Sequence, residues 1–437
     1  MKYRLHTRWY SAALLIASIG GYATRLLAQS SAPSQIIIGA SMGSATPSAI
    51  SSVRSMRMAV EEINAAGGIK GIPLVLKVEY GKTTDTASMD STVRHLIQTG
   101  AVMIISGSGS ANTLRAAQIT IPRGILLMTA SSSSPRISSI QDKSLVWRTI
   151  PSDTFQANAA AKLLRQKGHT TVGIIAIDNA YGTALAEAFS IAFRKASGKV
   201  VASVSYPELA SYEKFNMKSR LDTLYAQKPS AVYLITYNDD GAKIVNESRS
   251  YFTQNYKPFF LGCDGNYNND FLLSSDADLI EGMEGLAYVH PMNYANYTTF
   301  FTKFKEYGSK STETSDDLAN VSLANLLDVE TTNSYAATSY DAVYVFALAA
   351  LQANNLTPSE IARHIPRVSS PAKDAVVINV GEFAKAIQAI KNGKPINYEG
   401  ASGPLEFDAQ GDVRHGNYII WRITKGKFTE AGTISFP

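Results

Sequence analysis

The chain has 437 residues, 45% hydrophobic and 18% charged. At about 150 residues per domain it reads as a globular protein of two or three domains, and disorder is excluded. The formal charge is +5, but four basic residues and no acid fall in residues 1–28, leaving 37 basic against 36 acidic residues in the remainder. Such a near-neutral body excludes nucleic acid and anionic membrane surfaces as partners.

Residues 1–28 have a basic head, an apolar run from Trp9 to Ala23 and a small-residue end, the layout of a secretory signal peptide. Gly20, Gly21 and two serines interrupt the run, which falls short of the roughly 18 apolar residues of a membrane span. Cleavage is expected near Ala28. Cys263 is the only cysteine, so neither an internal disulfide nor a cysteine zinc site can form. No cysteine stands at the cleavage point for lipid attachment, so the expected location is the periplasm, free of an anchor.

From Gln35 onward, apolar runs alternate with amphipathic patterns. Ile36–Ile38 predicts a first strand. Val53, Met56, Val60 and Ile63 then recur at helical spacing up to Gly67-Gly68, a left-handed exit. Strands are expected at Leu74–Val78, Val102–Ile105, Ile125–Met128, Val172–Ile177, Val200–Ser205, Ala231–Thr236 and Phe259–Leu261. Helices are expected at Met89–Gln98, Asn112–Ile121, Phe155–Gln166, Ala184–Ala196, Phe215–Ala226 and Ser339–Gln352. The alternation predicts an α/β fold of doubly wound parallel sheets. Breaks are expected at Val146–Asp153 and near Tyr288–Pro291. A polar surface excursion is expected over Ser309–Thr332, and a terminal β segment at Leu405–Phe407 and Tyr418–Ile423.

Three loops carry chemistry. Gly39-Ala40-Ser41-Met42-Gly43 matches the G-x-S-x-G nucleophile elbow, yet it follows the first strand of the sheet and none of the six histidines is marked as its partner. A tight bend in a ligand-facing loop is the reading preferred over catalysis, and the protein is expected not to be an enzyme. Ser106–Thr113 follows a strand and opens a helix without the lysine of a phosphate loop; its free N–H groups suit an anion, and an ordinary helix cap is the alternative. Thr129–Pro135 brings Ser131, Ser132 and Ser133 to the next strand's carboxyl end, where ligands of parallel sheets bind. In the second half, Asp264 follows a strand in Gly262-Cys263-Asp264-Gly265 and supplies a countercharge for an amine if it faces the cleft. Tyr181 and Tyr237, beyond neighbouring strands, could wall the ligand. No His/Asp/Glu cluster has metal-ligand spacing, and no cofactor is expected.

Taken together these residues resemble the periplasmic solute-binding proteins of branched-chain amino acid ABC transporters. Ala59-Val60-Glu61-Glu62-Ile63-Asn64-Ala65-Ala66-Gly67-Gly68-Ile69-Lys70-Gly71 is similar to that family's first helix and exit. Ala180-Tyr181-Gly182 resembles its tyrosine–glycine motif, and Ser402–Asp408 with Gly411-Asp412 its C-terminal signature. The resemblance implies the type I periplasmic-binding-protein fold: lobe 1 from 36–149 plus 290–402, lobe 2 from 150–289 plus 403–437, three crossovers, and a ligand cleft between. It implies that Ser110 and the loop Ser131, Ser132, Ser133 bind the carboxylate, the loop also reaching the amine. Tyr181 and Tyr237 would close over the ligand, Asp264 would take its α-ammonium, and Tyr335 would stand near the hinge-side helix. Ser48 replaces a bulky aromatic of some members, which makes the side-chain pocket roomier. Ala49 replaces a frequent glycine, and Gly81-Lys82 an acidic pair, with Asp85 kept.

The implied function is capture of an amino acid, branched-chain or otherwise apolar or aromatic, and its delivery as a monomer to an inner-membrane ABC permease. The alternatives are a carrier for an aromatic acid, amide or urea, a ligand-sensing module, or a hydrolase built on Ser41. A ligand without an amine would leave Asp264 unpaired.

Overall fold

The computed structural model describes residues 33–288, 294–310 and 335–436. The amino-terminal segment 1–28, residues 289–293 at the break expected near Tyr288–Pro291, and residues 311–332 of the expected polar excursion lie outside these residues. Among the described residues, the first sheet runs in the order β2-β1-β3-β4-β5. Its strands are β1 (Ile36–Met42), β2 (Leu74–Tyr80), β3 (Met103–Gly107), β4 (Leu126–Thr129) and β5 (Val146–Arg148), all parallel. The side-chain period of two explains why helices cover both faces. Met103 and Ile105 of β3 and Leu126 and Met128 of β4 enter one core, while Ile104 and Leu127 enter another on the opposite face.

A second sheet contains β6 (Thr171–Asp178), β7 (Lys199–Pro207), β8 (Ala231–Ile235), β9 (Phe259–Gly262) and β10 (Glu284–Tyr288). Two small strands and one bridge-length strand, β11 (Val376–Ile378), β12 (Ile396–Gly400) and β13 (Gly403–Pro404), form a third sheet. The hairpin β14 (Gly416–Thr424) and β15 (Lys427–Phe436) then joins the second sheet, whose order is β15-β14-β10-β9-β8-β6-β7. Strands β6 to β10 are parallel, β14 runs antiparallel to β10, and β15 runs antiparallel to β14. A separate core surrounds this sheet. The α/β class with doubly wound parallel sheets is therefore present.

Helix boundaries follow local chemistry. Thr46 caps the helix Pro47–Ala65 by accepting the Ala49 N–H at 3.2 Å, and Pro47 opens it where no N–H is needed. That helix packs along Tyr335–Gln352, buried on every side from Ala336 to Leu351, as a helix apolar all round must be.

Two details differ from the sequence reading. The break expected over Val146–Asp153 is confined to Thr149–Ser152, because Val146–Arg148 is the edge strand β5, with Leu127 paired to Val146 and Trp147 edge-on against Phe407 at 5.5 Å. Leu405–Phe407 is not a strand of the terminal β segment; Leu405, Phe407 and Val413 pack into the first core, and the chain reaches the second sheet only at Gly416. No helix among the described residues is long and apolar enough to cross a membrane.

Candidate functional site

Strand order reverses between β1 and β3 in the first sheet and between β6 and β8 in the second. Crevices open outside the carboxyl ends of strands at such points. Ser108–Ser110 follows β3 and the serine loop follows β4; Asn179–Tyr181, Thr236–Tyr237 and Asp264 follow β6, β8 and β9.

The turn Cys263–Asn266 aims Asp264. Asn266 Nδ2 donates to Thr236 Oγ1 at 2.6 Å and to the Tyr237 carbonyl at 2.9 Å, while its Oδ1 accepts the Cys263 N–H at 3.1 Å. Gly265 permits this approach, since a Cβ there would lie 2.2 Å from the Thr236 carbonyl oxygen. Asp264 Oδ1 accepts from the Tyr181 hydroxyl at 2.7 Å and from Gln156 Nε2 at 2.9 Å, and Oδ2 accepts from the Tyr335 hydroxyl at 3.3 Å. Burial, then the Asp264 charge, raises the Tyr181 phenol well above its ordinary range, so it remains a donor. Burial likewise pushes the neighbouring Cys263 thiol up to about 12, and the cysteine is inert packing.

Asn179 builds the tyrosine–glycine turn. Its Oδ1 accepts the N–H groups of Tyr181 and Gly182 at 3.0 and 2.9 Å, which satisfies the start of the helix Gly182–Lys195. Its Nδ2 donates to the Tyr237 hydroxyl at 3.3 Å. The Tyr181 and Tyr237 rings stack at 5.6 Å with planes 15° apart, forming one aromatic wall.

Across from this wall, Gly109 takes a left-handed φ of 84° and starts the helix Ser110–Thr120 without a side-chain cap. Ser110 Oγ accepts the Ser134 N–H at 3.3 Å, tying the helix start to the serine loop. Ser134 Oγ donates to the Ala180 carbonyl at 2.6 Å, and a Cβ on Gly109 would come within 3.9 Å of the Tyr237 hydroxyl. The first-sheet and second-sheet loops thus meet here.

Within the serine loop the side chains differ. Ser131 Oγ is buried with no hydrogen-bond partner among the described residues. Ser132 shares a 2.8 Å bond with Thr113 Oγ1, itself 2.8 Å from Ser106 Oγ, so its hydroxyl fastens the loop. Ser133 accepts the Asp153 N–H at 2.8 Å on its carbonyl. Ser48 stands half-buried in the first turn of the helix Pro47–Ala65, beyond the end of β1. Tyr335 opens its helix and reaches Asp264 directly.

Four participants escaped the sequence reading: Ser134, Arg148, Asp153 and Gln156. Arg148 is wholly buried; Nε and Nη2 pair with the two Asp412 carboxylate oxygens at 2.6 and 2.7 Å, and Nη1 donates to the Ser133 and Ser134 carbonyls at 3.0 and 2.9 Å. Asp153 and Gln156 stand three apart at a helix start, a pattern that alone reads as capping.

The elbow motif is explained by packing. Gly39–Met42 lies within β1, not in a bend, and Ser41 is buried with its hydroxyl 2.6 Å from Thr92 Oγ1. A Cβ on Gly39 would come within 3.0 Å of both Ile104 and Leu96, and one on Gly43 within 2.3 Å of Thr83 Oγ1. The Ser41 hydroxyl is held by Thr92 of the helix Thr86–Gln98. Among the described residues, no group of three or more His, Cys, Asp or Glu forms a metal site.

Residues 52–426 match the family model described as receptor family ligand binding region. A chemotactic signal transduction system substrate-binding protein of Halobacterium salinarum is 24% identical over 396 residues, 87% of this chain and 86% of the relative. A Leu/Ile/Val/Thr-binding protein of Salmonella typhimurium is 28% identical over 259 residues, 59% of this chain and 67% of the relative. The branched-chain amino acid transporter substrate-binding protein LivJ of Streptococcus pneumoniae, solved with isoleucine, superposes with a TM-score of 0.69 at 19% identity, covering 92% of this chain and 100% of LivJ. The fold is that of type I periplasmic binding proteins. The chain belongs to the receptor family ligand binding region family.

Proposed function

We propose that the protein captures an amino acid, branched-chain or otherwise apolar or aromatic, between two lobes that close on it, and releases it unaltered to an ABC permease. Of the described residues, those in 36–149 and 290–402 are assigned to lobe 1, and 403–413 with them because Leu405, Phe407 and Val413 share its core. The described residues of 150–289 and 414–437 are assigned to lobe 2. Export follows from the signal-peptide pattern of residues 1–28, and the protein acts as a monomer in the periplasm.

One observation carries this reading. The Asp264 carboxylate, braced by Tyr181, Gln156 and Tyr335, belongs to the same loop cluster as the uncapped helix start at Ser110 and the buried, partnerless Ser131 hydroxyl. An acid on one side and free donors on the other suit the two poles of a zwitterion. Hydrogen bonds to charged groups contribute about 1.5–3 kcal/mol each, so the two poles together with an apolar side chain are enough for a micromolar complex at about 8 kcal/mol. The side chain would lie toward Ser48, whose small size leaves room.

A thermal-shift screen of the purified protein against the common amino acids, benzoate, simple amides and urea tests the ligand class, because binding raises the melting temperature by mass action. Apolar amino acids are expected to stabilise it. Stabilisation by benzoate or urea alone would reject the amino-acid reading. The halobacterial relative's chemotactic name favours a second output, sensing, for the same site. Loss of uptake on deleting the gene, with signalling intact, decides for transport.

A further inference from the structure

Asp264 is not the only acid in the cluster. Asp153, the first residue of the helix Asp153–Gln166, is wholly buried; its Oδ1 accepts from Gln156 Nε2 at 3.1 Å, the same nitrogen that donates to Asp264 Oδ1 at 2.9 Å. One amide nitrogen therefore bridges two carboxyl groups. Asp153 Oδ2 and the hydroxyl of Tyr233, on β8, are both buried without a hydrogen-bond partner among the described residues. A buried carboxylate oxygen left in this state is costly if charged.

The surrounding charges do not relieve it. Arg148 on β5 is the cation acting on it, and it is committed to Asp412. From the second sheet and its loops, Asp264 and the phenols of Tyr181, Tyr233 and Tyr418 face the acid, together with Tyr335. None of these is cationic. Burial and the Asp264 charge together hold the Asp153 carboxyl well above the usual carboxylate range, outweighing Ser133, Arg148 and Gln156.

We infer that Asp153 and Asp264 form a paired-acid seat for an ammonium group, in which Asp153 carries a proton until a ligand's cation arrives and gives that proton up on binding. The inference rests on the amino-acid reading above. The balance is simple. Protonated Asp153 with an incoming R–NH3+ becomes ionised Asp153 beside the bound R–NH3+, and the proton passes to bulk buffer. Asp153 acts through the shared Gln156 nitrogen as a positioning residue, with Asp264 as the direct partner. The pair also discriminates by charge, since an anionic ligand lacking an amine would meet two acids and displace no proton.

Calorimetry with L-leucine, in two buffers of different ionisation enthalpy, tests this on the full-length mature protein. Up to one proton should be released per leucine bound, and leucine affinity should rise with pH by up to about tenfold per unit while Asp153 titrates. Asp153→Asn, of the same shape, should bind leucine with no proton release and a flat pH profile. Asp264→Asn should lose binding. Leucine binding by wild type with no proton exchanged overturns the inference and leaves the carrier reading standing. Failure of every amino acid to bind overturns both.

Discussion

Gln156 and Asp264 exchange two hydrogen bonds: Gln156 Nε2 donates to Asp264 Oδ1 at 2.9 Å, and the Asp264 N–H donates to Gln156 Oε1 at 3.1 Å. The reciprocal pair joins the helix Asp153–Gln166 to the turn after β9 and fixes the carboxylate in both position and rotation. Replacing Gln156 by leucine removes both bonds while keeping the volume. Affinity for an apolar amino acid is expected to fall about tenfold, as one net hydrogen bond to a charged group predicts. Unchanged calorimetric affinity would show that the turn alone aims Asp264.

Asp264→Ala should weaken binding by at least about tenfold, and Ser110→Ala by less, because the N–H groups of the helix start remain in place of the hydroxyl. The comparison is of two dissociation constants under one set of conditions. A larger loss at Ser110 than at Asp264 would invert the assignment of the two poles.

Arg148 tests how the serine loop is held. Its guanidinium is buried against Asp412 and carries the carbonyls of Ser133 and Ser134. Arg148→Met strands the Asp412 carboxylate, and breaking such a buried pair costs about 3–5 kcal/mol of stability. Denaturant unfolding measures it. Adding Asp412→Leu in the same chain should recover much of the loss; no recovery would mean the carbonyl contacts dominate.

Asp341 predicts a pH dependence of stability. It accepts from the Tyr398 hydroxyl, the N–H groups of Ala401 and Ser402, and the Ser402 hydroxyl, yet burial outweighs these bonds and lifts its carboxyl from 3.8 to about 6. The folded state thus holds this proton more tightly than the unfolded chain. The stabilisation is fully present below the ordinary carboxylate range and is lost as pH rises through about 6. Asp341→Asn removes the titration, so the stability of wild type relative to the variant should increase on acidification from pH 7, by about 3 kcal/mol at most. A pH-independent difference would contradict it.

Much of the fold was legible because its signals are local. Period-two strands such as Met103–Ile105, the helical spacing of Val53, Met56, Val60 and Ile63, and the Gly67-Gly68 exit each state their structure within a few residues. The edge strand β5 was not legible. It is only Val146–Arg148, and its pairing with Leu127 lies in the tertiary structure. At the site, Asp264, Tyr181 and Tyr237 could be picked out because each follows an apolar strand directly. Asp153 and Gln156 could not, since an acid and an amide three residues apart at a helix start are what capping requires. Only the distance to Asp264 reveals their second use. Ser41 shows the converse: Gly39–Gly43 reads as a tight bend in the sequence, yet Gly39–Met42 lies within β1, with the glycine spacing set by packing of Gly39 against Leu96 and Ile104 and of Gly43 against Thr83. Ser41→Ala should therefore leave ligand affinity unchanged.

The account depends on recognition of both poles of one small ligand. Calorimetry with leucine, 4-methylpentanoate and isopentylamine isolates each pole, since the latter two lack the amine and the carboxylate respectively. Leucine should bind at micromolar concentration or better, with each truncated ligand at least about a hundredfold weaker, equivalent to about 2.7 kcal/mol per pole. If 4-methylpentanoate binds as tightly as leucine, Asp264 is not an ammonium partner and the account is wrong.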